Sequence, residues 1–414
     1  MAEMKDSGIE WIGKIPEEWS NIKLKSFYDF EKGKNAQLYT AEYIGKHEGQ
    51  YPVFSGQTEN NGVMGFIDTY DYELNECLFT TTVGAKVMTP KLLKGKFSLS
   101  QNCLIMKPKK ECNNHFFFYC LISLFDYEKG AIPSYMQPSL RIDDLKKYGF
   151  YIPDLENQNR IADFLDKKCA EIDILHSDIE KQIHILEEYK KSIITEAVTR
   201  GLDPDVEMKD SGSVYWKDIP ANWKLSDIKY LFEIVKRIAG KEGYDILSVT
   251  QKGLKIKDIS RNEGQIAESY ANYQFVYPTD YVMNHMDLLT GWVDCSKYFG
   301  VTSPDYRVFR LKDKKNNLNY YKYIMQCCYM DRIFYSLGQG VSNLGRWRLQ
   351  TESFNNFQIP VPPAKEQEQI AKYLDEKCIE IENIILDKQQ QLETLEQYKK
   401  SLIYEYVTGK KEVK

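Results

Sequence analysis

Histidine is scarce in this chain of 414 residues. His47, His115, His176, His184 and His285 are the five present, and none stands at metal-ligand spacing from another. His176 and His184, eight apart, read as surface or seam residues of a helix. The nine cysteines form no CxxC pair, which removes the common zinc and dithiol frameworks and leaves reduced thiols. No run of about 18 apolar residues occurs, so no membrane-spanning helix is expected. The charged opening MAEMKDSGIEW lacks the apolar core of a signal peptide. These absences predict a soluble, cytoplasmic protein.

Catalytic constellations are missing as well. Gly8-x-x-x-x-Gly13-Lys14 imitates a phosphate loop, but Ile15 stands where a magnesium-binding hydroxyl belongs and no strand precedes it. Asp205, Glu207 and Lys209 resemble a nuclease metal triad, yet they crowd into five consecutive linker residues. Gly338, Gly340 and Gly345 do not make the dinucleotide fingerprint. Val361-Pro362-Pro363 lies beside a helix start and is no base-flipping motif. The sequence predicts a non-catalytic chain with no cofactor and no metal of its own.

Charge is uneven. The formal net charge is −5. Residues 1–150 hold 18 basic against 19 acidic side chains, 151–207 hold 7 against 14, 208–358 hold 21 against 16, and 359–414 hold 9 against 11. The acid surplus sits in the second and fourth segments, so the first and third remain able to face phosphates.

The chain is written twice. Met4-Lys5-Asp6-Ser7-Gly8 returns at Met208, and Ile15-Pro16-x-x-Trp19 returns as Ile219-Pro220-x-x-Trp223, both at an offset of 204. The stretch IADFLDKKCAEID from Ile161 returns as IAKYLDEKCIEIE from Ile370, and EYKKSIITEAVT from Glu188 as QYKKSLIYEYVT from Gln397, both at 209. Between these shared ends the copies diverge. Residues 25–150 and 229–358 carry short β-branched and aromatic runs broken by turns, with helices around Phe116–Leu124 and Tyr320–Tyr335.

Each copy closes on a heptad pattern. Position a holds Leu165, Ile172, Ile179, Leu186 and Ile193, then Leu374, Ile381, Lys388, Leu395 and Leu402. Position d holds Ile161, Lys168, Leu175, Gln182 and Tyr189, then Ile370, Lys377, Ile384, Gln391 and Tyr398. A period of 3.5 over about five heptads predicts two long helices that pair. The fold expected is α+β: two mixed α/β heads separated by two long helices in an antiparallel coiled coil, related by a pseudo-two-fold axis. The boundaries are 1–152 for the first head, 153–201 for its helix, 202–207 for a linker, 208–359 for the second head, 360–409 for its helix and 410–414 for a tail. A rod of about 45 residues spans roughly 65 Å, a ruler with a head at each end.

The heads carry lysine clusters (Lys91, Lys94, Lys96, Lys107, Lys109, Lys110; Lys312, Lys314, Lys315) suited to phosphates. Polar, glycine-hinged loops are candidates for reaching base edges. In the first head these supply Ser55, Gln57, Thr58, Asn60, Asn61, Lys86, Gln101, Asn102, Ser134, Tyr135, Gln137 and Arg141. In the second they supply Thr250, Gln251, Lys252, Gln339, Ser342, Asn343, Arg346 and Arg348. Asn and Gln can pair bidentately with adenine, and Arg with guanine. Arg346 and Arg348 are expected on one face of an extended segment, with Trp347 as the anchor behind them.

The repeated openings (Trp11 with Ile15-Pro16-x-x-Trp19; Trp216 with Ile219-Pro220-x-x-Trp223) and closings (Ile152-Pro153 then Gln158-x-x-Ile161-Ala162-x-x-Leu165; Ile359-Pro360-x-Pro362 then Glu366-Gln367 and Ile370-Ala371-x-x-Leu374) resemble the specificity subunit of type I restriction–modification systems. Asn157 departs from the pattern, standing where the second copy has Glu366. The resemblance implies two target recognition domains, each reading half of an interrupted site in double-stranded DNA. It further implies two modification subunits using S-adenosylmethionine, and restriction subunits using ATP and Mg²⁺. A stand-alone DNA-modifying enzyme and a coiled-coil adaptor without a DNA role are the alternatives that the residues leave open.

Overall fold

Matched residues build one frame twice. An opening hairpin pairs Met4–Asp6 with Lys14–Pro16, and its repeat pairs Met208–Asp210 with Asp218–Pro220. In each, a lysine amine donates into the following turn: Lys5 to the carbonyls of Glu17 and Trp19, Lys209 to those of Ala221 and Trp223. A strand after the Trp then pairs with the strand that closes the head, Ser20–Lys23 with Gly149–Ile152 and Lys224–Asp227 with Gln358–Val361. The computed structural model describes residues 3–57, 60–84, 86–133, 135–258, 267–340 and 347–413. Contacts divide it into two units, residues 1–179 with 389–414, and residues 180–388.

In the first unit the head is built on six strands in the order 28–32, 103–108, 72–81, 91–99, 48–54, 63–67. All neighbours are antiparallel except 48–54 beside 91–99. The helix Asn114–Ala131, capped by the Asn113 side chain on Phe116 N, buries Phe116, Phe117, Cys120, Leu121, Leu124 and Phe125.

In the second unit the insert folds differently. Four strands run 232–235, 307–311, 281–283, 293–295. A hairpin Leu247–Thr250 with Gly253–Ile256 and a pair Gln274–Val276 with Gly300–Thr302 stand beside them. The helix Leu318–Met330 has the same cap, Asn317 on Tyr320 N.

Both head helices are fastened by a buried glutamine at the start of a long helix. Gln158 accepts from Asn113 N and donates to Pro153 O, while Gln367 accepts from Asn317 N and donates to Pro362 O. An amide supplies a donor and an acceptor at once, so neither buried backbone group is orphaned. The departure at Asn157 changes a different contact. Glu366 accepts from the Trp223 indole at 2.9 Å and from Asn222 at 3.2 Å, whereas Asn157 turns back to Asp154.

The long helices span Leu155–Arg200 and Ala364–Val407. In the first unit Ile161, Leu165, Cys169 and Ile172 share a core with Leu402, Ile403 and Val407. Phe164 packs on Tyr406 with the rings tilted, and Lys399 pairs with Asp173. In the second unit Ile193, Ile194, Ala197 and Val198 share a core with Ile370, Leu374 and Ile381, Leu186 packs at its margin, and Lys190 pairs with Glu382. In each unit numbers rise on one helix as they fall on the other, so the pairing is antiparallel.

The seam departs from the expected one on one side. Position a is buried or half-buried throughout, Ile179 and Leu395 included, but Leu175, Tyr189, Ile384 and Tyr398 at d are exposed (54, 52, 41 and 54%). Position e closes the interface instead, through Ala162, Cys169, Ile183, Lys190 and Ala197, and Ala371, Cys378, Ile385, Leu392 and Lys399. A ladder at a can be flanked at d or at e with the same three-and-four spacing. Small Ala and Cys let the backbones approach, and each e lysine lays its stem on the seam while its amine reaches the facing acid. Lys168 and Lys377, at d, pair along their own helices with Glu171 and Glu380.

Candidate nucleic-acid interface

The polar loops of the first head end up together. Strand 72–81 finishes at Thr82, whose N–H donates to Asn102 O and whose carbonyl accepts from Leu140 N, both at 2.8 Å. Val83 bridges to Ser139. This draws the turn at Gln101 and Asn102, the turn at Lys86 and the segment Tyr135–Arg141 to one end of the sheet. Phe54 O accepts from Ser100 N at 2.8 Å, which brings Ser55, Gln57, Asn60 and Asn61 to the same end. Tyr135 is 86% exposed, an aromatic ring held in the open, and Gln137, Arg141 and Lys86 are exposed too. Thr58 and Ser134 lie outside the described residues.

These residues are not equally available. Gln57 donates to Val63 O, Ser55 accepts from Gln57 N, and Asn61 accepts from Lys91 at 3.0 Å. Asn60 and Asn61 occupy the left-handed region, at φ 47° and 54°. The 55–61 loop therefore spends much of its polar chemistry on its own turn. Three lysines of the first head's clusters are similarly committed: Lys107 pairs with Glu31, Lys109 with Asp29 and Lys96 with Glu73. Exposed pairs of this kind add little stability, but they offset the positive charge of these lysines. Sequence reading missed the loop 33–38, which enters the same sheet end after strand 28–32. Its signal, KGKNAQ, is the same glycine-hinged polar run.

In the second head Gln251 and Lys252 project from the tip of the hairpin 247–256, while Thr250 is used inside the turn, donating to Gly253 O. Gln339 faces Arg348 across a two-residue ladder. Trp347 packs on Tyr335 with Arg348 exposed beside it. Ser342, Asn343 and Arg346 lie outside the described residues. Behind this ladder His285 and Arg307 are buried, and Leu349 N donates to His285 O. Burial, then the charges of Arg307 and Arg348, hold the His285 imidazole down to about 3, so it stays neutral. Burial lowers Arg307 only to about 10, leaving it charged; it donates to Leu349 O and Thr351 and stacks on Phe354.

Among the described residues no group of three or more His, Cys, Asp or Glu is placed to hold a metal ion. Lys209, one member of the nuclease-like triad, is occupied by two carbonyls. Burial pushes the thiols of Cys77, Cys103 and Cys295 up to about 12, far from nucleophilic. No helix among the described residues is long and apolar enough to cross a membrane.

Comparison with known proteins agrees with this architecture. The type I restriction modification DNA specificity domain matches twice, over residues 16–184 and 220–396. The MjaVIII specificity subunit of Methanocaldococcus jannaschii is 24% identical over 97% of this chain and 95% of its own length. S.MpnORF507P of Mycoplasma pneumoniae, named a type I specificity subunit, is 31% identical over 53% of this chain. There the match spans 64% of the relative's length, and 62% for S.MpnORF285P of the same organism. A solved chain from work on complex assembly and conformational transition of the type I R-M system has a TM-score of 0.65. It is 11% identical and covers 95% of this chain and 98% of that one, a likeness of fold. With its frame written twice and the matching domain found in both copies, the chain belongs to the type I restriction modification DNA specificity family.

Proposed function

We propose that this chain supplies sequence specificity to a type I restriction–modification complex and performs no chemistry itself. Each head, 1–152 and 208–359, reads one half of an interrupted DNA site. The helices within 153–201 and 360–409 fix the gap between the halves, and with the linker and tail they carry the acid surplus of the chain. Those acidic surfaces suit protein partners better than phosphate. Two modification subunits supply adenine methylation from S-adenosylmethionine, and restriction subunits supply ATP- and Mg²⁺-dependent translocation and cleavage, in the cytoplasm.

The observation that carries this reading is the convergence of separate polar loops on one end of the first head's sheet, on a frame shared with a differently folded second head. Polar loops on a rigid scaffold are the usual means of reading base edges. The test is single-molecule methylation mapping of the source genome with and without this chain. A bipartite motif that disappears with the chain is the expected result; an unchanged methylome would end the proposal. Inserting one heptad at matched places in both helices should lengthen the gap without altering the bases read.

A further inference from the structure

One groove in the first head combines rigid walls with unspent hydrogen-bonding groups. It encloses about 650 Å³ between the loop 32–38 and the turn 100–103. The loop wall is locked from behind by Asp71. Its backbone carbonyl accepts from Lys34 at 3.0 Å, and its carboxylate accepts from Asn35 at 2.6 Å and from the Tyr39 hydroxyl at 2.7 Å. Gly33 lies so close to the end of strand 91–99 that a Cβ there would fall 2.4 Å from Leu99 O. The opposite wall is locked by its backbone, Ser100 N donating to Phe54 O and Asn102 O accepting from Thr82 N, with Asn102 left-handed at φ 63°. Against these fixed walls, the side chains of Lys32, Gln37, Gln101 and Asn102 are exposed and have no hydrogen bond or ion pair to another described residue. This differs from the 55–61 loop, where Gln57 and Asn61 are engaged in building the turn.

Preorganised walls with free heads are what base reading requires, because little ordering remains to be done on contact. Accepting that this chain reads DNA, we propose that Gln37, Gln101 and Asn102 are the base-reading residues of the first head. They face adenine in the major groove of its half-site, with Lys32 fixing the register on a phosphate. A side-chain amide offers one donor and one acceptor in the spacing of adenine N7 and N6, and a lysine amine is a point charge without such a code.

The test uses the full chain co-expressed with its modification subunits, with methylation read on a randomised duplex library. Gln37→Ala, Gln101→Ala and Asn102→Gly, the last keeping the left-handed turn, should each relax discrimination at an A·T position of one half-site. The expected loss is about 10- to 100-fold, with the other half-site and the gap unchanged. Lys32→Ala should weaken binding about equally on all sequences and reduce the salt slope by about one. Gln57→Ala and Asn61→Ala, the engaged amides, should leave the base preferences as they were. Unchanged unfolding temperatures for the three amide variants separate lost reading from lost folding. If those variants fold and methylate with wild-type preferences, the groove is not the reader. If the wild-type complex shows no bipartite motif, the DNA reading itself has failed, and the two failures are distinguishable.

Discussion

The two heads hang from identical fasteners and share almost nothing beyond them. Gln158 and Gln367, Asn113 and Asn317, and Lys5 and Lys209 make the same bonds in both units. Tyr119 donates to Asp166 at 2.8 Å as Tyr323 donates to Asp375 at 2.7 Å, from a head helix to a long helix. Burial pushes both phenols far above their usual range, so they remain donors. One turn earlier the copies part: His115 lies 2.7 Å from Asp166 and 3.3 Å from Glu76, whereas Asn319 donates to Asp375. A six-stranded sheet stands on one frame and, among the described residues, a four-stranded sheet with three small ladders on the other. Attachment is thus carried by matched residues of the frame, on which two different inserts stand.

The sharpest way to break this comparison is to exchange an insert. Replacing residues 229–358 with those of a related chain should replace one half-site completely and leave the other untouched in methylation mapping; a change in both would show that the frame also reads. Next in size come the seams. Leu165→Ala and Leu374→Ala remove fully buried side chains at matched places and should each cost about 2–5 kcal/mol in denaturant unfolding. Unequal costs would show that the two frames are not equivalent.

A pH effect should then mark the second head. The unfolded chain protonates the His285 imidazole below about pH 6.5, while the folded head keeps it bare down to about 3. Unfolding takes up a proton across that window, so stability falls as pH drops through it, by up to about 1.4 kcal/mol per pH unit. His285→Gln should flatten this part of the acid dependence in thermal scans; an unchanged slope would refute it. Smaller again, Tyr119→Phe and Tyr323→Phe should each cost about 1–3 kcal/mol, the range for a bond to a charged acceptor. Near zero should come Tyr189→Gln and Tyr398→Gln, exposed on the isolated chain and expected within about 0.5 kcal/mol.

Much of this organisation could be read from the sequence. The offsets of 204 and 209 delimit the frame, and the aliphatics at position a announce both long helices. The side of the seam could not be read, because Leu175 and Tyr189 at d are more apolar than Lys190 at e. Only the facing acid, supplied by the other helix, gives that lysine its place. The interface loops were visible as polar, glycine-hinged runs, yet their convergence depends on strand 28–32 pairing with 103–108 and on the Thr82 backbone, both non-local. Which amides stay free depends on turn geometry at Asn61 and Asn102 and on cross-strand partners such as Lys91, and no local pattern encodes these.

Each long helix ends on a left-handed glycine set against a Pro-x-x-Trp turn. A Cβ on Gly201 would meet Trp223 at 3.4 Å, and one on Gly409 would meet Pro16 at 2.4 Å and Trp19 at 3.0 Å. Gly201 runs on through a short peptide into the hairpin it supports, while Gly409 reaches its hairpin from nearly four hundred residues away along the chain. The same joint thus closes with a nearby peptide tether and without one. A protease nick within 202–207 should leave the second head seated, because the joint at Gly409 packs in the same way with no such tether.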